Sequence, residues 1–103
     1  MTGTTAADVK RVVSQHFGLR EIEMVSRRRS RGIAEARQIA MTLVYELTPL
    51  SMPNIGRQFG DRDHTTVLHA IHKIEGKLDS DAGFAEMIQT IRDKLRLECE
   101  CVA

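Results

Sequence analysis

The chain has 103 residues, the size of a single domain, with 42% apolar and 28% charged residues. No apolar run approaches the roughly 20 residues that span a bilayer, and the first residues lack the basic and apolar segments of a secretory signal. With 4% aromatic residues and two prolines, the composition favours helices. So short a chain has little room for a deep catalytic cleft, so we expect no enzyme.

Positive charge is concentrated before residue 75. Residues 1–74 carry 11 Lys and Arg against 7 Asp and Glu, whereas residues 75–103 carry 4 against 7. Eleven of the 15 basic residues are arginine, whose fork of donors grips phosphate or guanine in a fixed geometry. By itself, the charge favours an ordinary solvated surface over a binding site for anions.

The two cysteines, Cys99 and Cys101, are too close in sequence for a structural disulfide and too few for a zinc site. We expect reduced thiols and a cytoplasmic location.

The first helix is predicted by apolar residues on one face, with a capping box formed by Thr5 and Asp8 and a stop at Gly18. Its stripe comprises Val9, Val12, Val13, His16 and Phe17. A short helical segment is expected over Arg20 to Ser26.

A basic loop is expected next, because residues 27–32 hold four arginines and no apolar periodicity. A longer helix follows over about residues 33–48, which Pro49 ends because the residue before a proline avoids the helical region. Arg37 and Gln38 lie off its apolar stripe.

A short helix then begins after the N-cap Ser51 and ends at a tight turn, Gly60 to Arg62. Asp63 is predicted to cap a further helix by accepting from a backbone N–H of Thr65 or Thr66. A last helix starts near Ser80 or Asp81 and loses its apolar repeat after Leu97. Five to six helices without a convincing strand predict one all-α domain over residues 1–97, followed by a frayed tail, 98–103.

The arrangement of a short helix, a glycine-containing turn and a second helix is typical of a helix-turn-helix. The second helix begins with small polar residues, the positions that meet base edges when such a helix enters the major groove. Thr can contact the thymine methyl, and Asp can accept from cytosine N4.

The residues from Ser51 to Ala70 resemble the signature of the C-terminal DNA-binding domain of the bacterial replication initiator DnaA. The core Arg62-Asp63-His64-Thr65-Thr66-Val67 carries most of the resemblance, and the stretches 28–31 and 34–41 add to it in the same order and spacing. The resemblance extends from about Thr5 to Leu95 and implies a Trp-repressor-like architecture.

The resemblance implies sequence-specific binding to DnaA-box duplex DNA, in replication initiation or its regulation. Asp63, His64 and Thr65 would read the major groove, Arg29 would enter the minor groove, and Arg37 and Gln38 would contact the backbone. The full set of expected DNA-binding residues is Arg28, Arg29, Arg31, Arg37, Gln38, Met52, Pro53, Arg62, Asp63, His64, Thr65 and Thr66.

The expected partner is double-stranded DNA, bound by a monomer, with other replication proteins as a secondary expectation and no membrane. We expect no cofactor, because the chain has no phosphate-binding G-x-x-x-x-G-K-[ST] run. The start at Met1 favours a free-standing relative over an excised domain. Three departures from common family patterns, Glu35 with Ala36, Asp61 and Tyr45, bear on affinity more than on binding mode.

Two other classes of function stay open. The histidines with Asp63 would suit a hydrolase or metal site, but His69 and His72 lack a third ligand at metal spacing. Glu35, Asp61 and the acidic last third would suit a protein-interaction module that keeps the fold and has lost specific DNA binding.

Overall fold

The computed structural model describes residues 4–25 and 31–101, with side chains described over residues 4–25 and 32–97. The described residues form six α-helices and no strand, which confirms the all-α prediction. None of these helices is both long enough and apolar enough to cross a bilayer. The elements are α1 (Ala6–Phe17), α2 (Glu21–Val25), α3 (Arg31–Leu47), α4 (Met52–Gln58), α5 (His64–Ser80) and α6 (Ala82–Cys101).

The ends of α1 confirm the predicted capping residues. Asp8 N donates to Thr5 Oγ1 at 3.2 Å, and Thr5 N donates to Asp8 Oδ2 at 3.1 Å. These two bonds satisfy amides that have no partner within the helix. Gly18 ends α1 with a φ of 68°, in the left-handed region that favours glycine.

Helix α3 is the central helix of the fold and packs against α1, α2, α4 and α5. Its apolar face is buried, but Leu47 in its last turn is 36% exposed. The helix begins at Arg31, so Arg31 and Gly32 belong to it and not to the predicted basic loop. Apolar periodicity marks only the buried residues of a helix, and Arg31 and Gly32 precede Ile33, the first residue of the buried stripe.

The α4–α5 pair forms the predicted helix-turn-helix. Ser51 Oγ accepts from Asn54 N at 3.4 Å and caps α4, which carries Pro53 in its first turn. Ile55 of α4 and the C-cap residue Phe59 are fully buried in the same core as the inner face of α5. That face comprises Val67, Ala70, Ile71 and Ile74.

Helix α6 closes the core by packing on α1 and α5. Asp81 Oδ1 accepts from Phe84 N at 3.0 Å at its start. Its buried residues are Phe84, Ile88, Ile91 and Leu95, as the apolar repeat predicts. The backbone stays helical to Cys101, beyond Leu97. Fraying of residues 98–103 in solution stays a prediction.

Candidate nucleic-acid interface

The first turn of α5 presents polar side chains to solvent. His64, Thr65 and Thr66 are all exposed, whereas the next residue, Val67, is fully buried. The buried side of the helix fixes its rotation, so these three side chains face away from the core. They are therefore available to a ligand without any change in the fold.

The predicted cap by Asp63 is wrong in its detail. Asp63 stands at the N-cap position of α5, but its carboxylate accepts no hydrogen bond from the helix amides. The backbone carbonyl of Asp63 closes the first turn instead, accepting from Thr66 N at 3.0 Å and Val67 N at 3.3 Å. The carboxylate turns to the neighbouring imidazole, with Oδ1 3.1 Å from His64 Nδ1. The His64 imidazole and the helix amides compete for the Asp63 carboxylate, and the carboxylate contacts the imidazole.

The start of α4 comes close to the start of α5. Pro53 lines an open cleft of about 360 Å³ together with Asp63 and His64. Arg57, which the sequence analysis missed, lies in the same cleft. Met52 is half-buried and packs against the core, so it supports α4 from the inner side.

A second cleft, of about 300 Å³, lies between α3 and α5. It brings together four predicted residues, Arg37, Gln38, Arg62 and Thr66. All the charged residues that line it, which include Lys73, are basic. A cleft with one sign of charge concentrates the field and attracts anions.

Lys73 and His69, which are not among the predicted residues, also line this cleft, which we call the α3–α5 cleft. The spacing of His69 and Lys73 from Thr66 could have identified them from the sequence. His69 and Lys73 follow Thr66 by three and seven residues, so the three side chains share one face of α5. That face continues from the exposed first turn along the helix.

Arg37 is more buried than an arginine that contacts the DNA backbone is expected to be. It is 7% exposed, and its Nε donates to the carbonyl of Met24 at 3.2 Å. Burial lowers the pKa of Arg37, and the positive charge of Arg62 lowers it further. Its neighbour Gln38 has a buried Oε1 that accepts no hydrogen bond from the described residues.

The turn between α4 and α5 depends on two glycines. Arg62 N donates to Gly56 O at 2.8 Å, and a side chain at Gly56 would collide with the Arg62 carbonyl. Gly60 has a φ of 84°, and Asp61 follows with a φ of 56°. Aspartate is among the few residues with a side chain that adopt this left-handed conformation readily.

Three predicted arginines cannot be placed on this surface. Arg28 and Arg29 lie outside the described residues, and Arg31 begins α3 with a side chain that is also outside them.

Glu35, a departure from the family pattern, pairs with Lys77 at 3.2 Å. Its negative charge is therefore partly neutralised by α5. No group of three metal-ligating side chains lies together in the described part of the chain.

The chain matches the family model described as bacterial dnaA protein helix-turn-helix over residues 6–74. It is 46% identical over 92 residues to the chromosomal replication initiator protein DnaA of Caulobacter sp. (strain K31), covering 89% of this chain and 19% of that protein. The protein of the same name from Symbiobacterium thermophilum is 47% identical over 94 residues, covering 91% of this chain and 20% of that protein. The one from Rhizobium meliloti is 49% identical over 85 residues, covering 82% and 18% respectively.

Among solved structures, the chain is similar to a crystal structure of a DNA replication initiation factor. The TM-score is 0.78 at 25% identity, covering 91% of this chain and 30% of that one. The chain thus spans about a fifth of the length of the curated relatives it matches. The match to the family model covers more than half of the residues, and the chain therefore belongs to the bacterial dnaA protein helix-turn-helix family.

Proposed function

We propose that the chain binds double-stranded DNA in a sequence-specific manner at DnaA-box-like sites, in replication initiation or its regulation. The exposed first turn of α5, backed by the buried Val67, is the observation that carries this proposal. A helix that docks by its amino-terminal end places these residues against base edges in the major groove. Thr65 and Thr66 offer hydroxyl and methyl groups, and His64 and Asp63 offer a donor and an acceptor.

The α3–α5 cleft would hold the phosphate backbone beside the groove that α5 enters. Arg62, Lys73 and Thr66 line it, and its charged lining residues are all basic. Phosphate contacts fix the register of a protein on the duplex and carry no sequence information themselves. Arg28, Arg29 and Arg31 would add positive charge, with Arg29 entering the minor groove, whose negative potential is enhanced where A·T pairs narrow it.

The binding unit is one copy of the chain, and the location that follows is the nucleoid of the cytoplasm. Further contacts with other replication proteins would use surfaces away from α5. No step of this function needs a cofactor or a catalytic group.

A fluorescence anisotropy titration tests the proposal. The chain is titrated with a duplex that contains one DnaA box and with a duplex of the same composition in scrambled order, each at two salt concentrations. We expect at least about 100-fold tighter binding to the box, since specific sites exceed nonspecific ones by roughly 10³ or more in many systems. Equal affinity for the two duplexes at moderate salt would refute specific recognition and favour an interaction module that keeps only the fold.

A further inference from the structure

Two contacts connect the carboxyl end of α2 to α3 and to the turn between α4 and α5. From α3, Arg37 Nε donates to Met24 O at 3.2 Å. From the turn after α4, the backbone of Gly60 lies against the carbonyl of Val25. Met24 and Val25 are the last two residues of α2. The two contacts therefore act on adjacent carbonyls at one point of the chain.

Gly60 meets two separate requirements at this contact. Its φ of 84° is a conformation that residues with a side chain rarely adopt. A Cβ at this position would also overlap the Val25 carbonyl oxygen and lie 3.3 Å from the carbonyl carbon. A backbone atom cannot move aside as the end of a side chain can. Any larger residue must therefore push the turn and the end of α2 apart.

Arg37 is placed for an internal role. It is 7% exposed, and Met24, whose carbonyl it binds, is fully buried. Burying a guanidinium is costly unless it is hydrogen-bonded, so an arginine that served only to attract phosphate would be expected to stay in solvent. The Nε bond supplies a partner inside the protein before any DNA is present.

We propose that Arg37 and Gly60 are positioning residues that hold the carboxyl end of α2, Met24–Val25, at a fixed place against the helix-turn-helix. This inference rests on the proposed function, in which α5 reads the major groove and Arg29 the minor groove. Arg29 follows Val25 by four residues, so the position of Val25 limits where Arg29 reaches the duplex. The two residues then contribute to specificity without reading a base themselves.

The first test uses the free protein and trypsin, which cleaves after arginine. Cleavage within residues 27–31 is followed by mass spectrometry for the wild type, Gly60→Ala and Arg37→Met. Release of the α2 end is expected to speed this cleavage by roughly fivefold or more, since a change of about 1 kcal/mol in local opening has that effect. Gly18→Ala is the matched control, because Gly18 also has a positive φ of 68° but has open space around it.

Equal cleavage rates in all four proteins would overturn the proposal. So would an acceleration as large in Gly18→Ala as in Gly60→Ala, because backbone strain alone would then explain it. Circular dichroism establishes that each variant is folded at the assay temperature. If Gly60→Ala does not fold, Arg37→Met carries the same comparison.

The second test is a double-mutant cycle on a DnaA-box duplex, with Gly60→Ala and Arg29→Ala. Glycine has no side chain with which to contact DNA, so its effect must pass through other residues. We expect Gly60→Ala to weaken binding by roughly tenfold alone and by about twofold or less in the Arg29→Ala background. A tenfold loss in both backgrounds would overturn the proposal.

The two tests separate this inference from the proposed function. If the wild type binds box and scrambled duplexes alike, the proposed function fails. The trypsin comparison then still decides whether Arg37 and Gly60 hold the end of α2. If box binding is specific but cleavage and coupling are unchanged, only the positioning role fails.

Discussion

At the scale of the residue, the carboxylate of Asp63 faces the imidazole of His64 and not the amides of its own helix. Both side chains are more than half exposed, at 68% and 61%. A pair so exposed is screened by solvent and contributes little to stability. The pair instead orients His64, because the carboxylate limits which way the imidazole ring turns.

Asp63→Ala is therefore expected to cost little stability and to lower specificity. The loss in unfolding free energy should be about 0.5 kcal/mol or less, the remainder from a negative charge near a helix amino terminus. Ser51→Ala is the control, since Ser51 Oγ does accept from Asn54 N at 3.4 Å. Ser51→Ala should lower the unfolding free energy by about 1 kcal/mol.

Urea denaturation measures the two stabilities, and anisotropy measures the preference for the box. If Asp63→Ala cost as much stability as Ser51→Ala while leaving the preference intact, Asp63 would be a cap and nothing more.

At the scale of the element, the joint between α4 and α5 requires a glycine at position 56. Gly56 is buried, and an added Cβ would collide with the Arg62 carbonyl and lie 3.7 Å from Val67 Cγ2. Arg62 N also donates to Gly56 O at 2.8 Å. The turn that precedes α5 therefore packs against α4 at a position without a side chain.

Gly56→Ala and Gly76→Ala are expected to change stability in opposite directions. Gly56→Ala should lose about 2 kcal/mol or more, because a backbone clash cannot relax cheaply. Gly76 lies inside α5, is exposed and has nothing within 4 Å of an added Cβ. Gly76→Ala should therefore gain about 0.5–1 kcal/mol from helix propensity. Urea denaturation gives both values, and a destabilised Gly76→Ala would contradict this account.

The capping box of α1 has a pH dependence whose sign follows from Asp8. The pKa of Asp8 is lowered chiefly because Thr5 N–H donates to its carboxylate, with burial opposing and Thr5 Oγ1 and Arg11 adding to the lowering. A carboxyl with a lowered folded-state pKa stabilises the fold above its unfolded pKa of about 4. That stabilisation is lost as the pH falls through the folded-state value.

Asp8→Asn should accordingly lower stability at pH 7 by about 0.5 kcal/mol or less, since the group is partly exposed and screened. The difference from the wild type should shrink as the pH falls below about 4. Thermal melts from pH 7 to pH 3 measure this. A difference that stays constant across this range would show that the ionised carboxylate is not the stabilising form.

At the scale of the whole molecule, the all-α fold was predictable because every long helix buries a stripe with helical period. Val9, Val44, Ile71 and Ile91 all lie on predicted stripes, and each is at most 2% exposed. The burial of Arg37 was not predictable in this way. Its partner is the carbonyl of Met24, 13 residues earlier, and a backbone acceptor leaves no trace in the sequence pattern.

At the candidate site, the exposure of the first turn of α5 was predictable from the sequence, but the contacts between its side chains were not. The exposed turn from His64 to Thr66 follows from the small polar residues that precede Val67. The contact of Asp63 with His64 depends on a choice of rotamer between two nearby donors, which spacing does not determine. Lys73 reaches the α3–α5 cleft because α3 and α5 pack together, a tertiary arrangement that local periodicity does not specify.

The uneven distribution of charge along the chain leads to a prediction about DNA affinity and its salt dependence. Lys73 lines the α3–α5 cleft with Arg37 and Arg62, whereas Arg96 lies on α6 with Nη2 3.4 Å from Asp93 Oδ1. If the cleft holds a phosphate, Lys73→Met weakens binding to box and scrambled duplexes alike. Each lost phosphate contact also reduces the slope of log K against log salt by about 0.9.

Arg96→Met removes the same charge from α6, outside the α3–α5 cleft, and should change neither quantity. Net charge is then identical in the two variants, so a difference between them reports where the charge lies and not how much there is. Equal salt slopes for both variants would mean that DNA is attracted by the overall field and not held in the α3–α5 cleft.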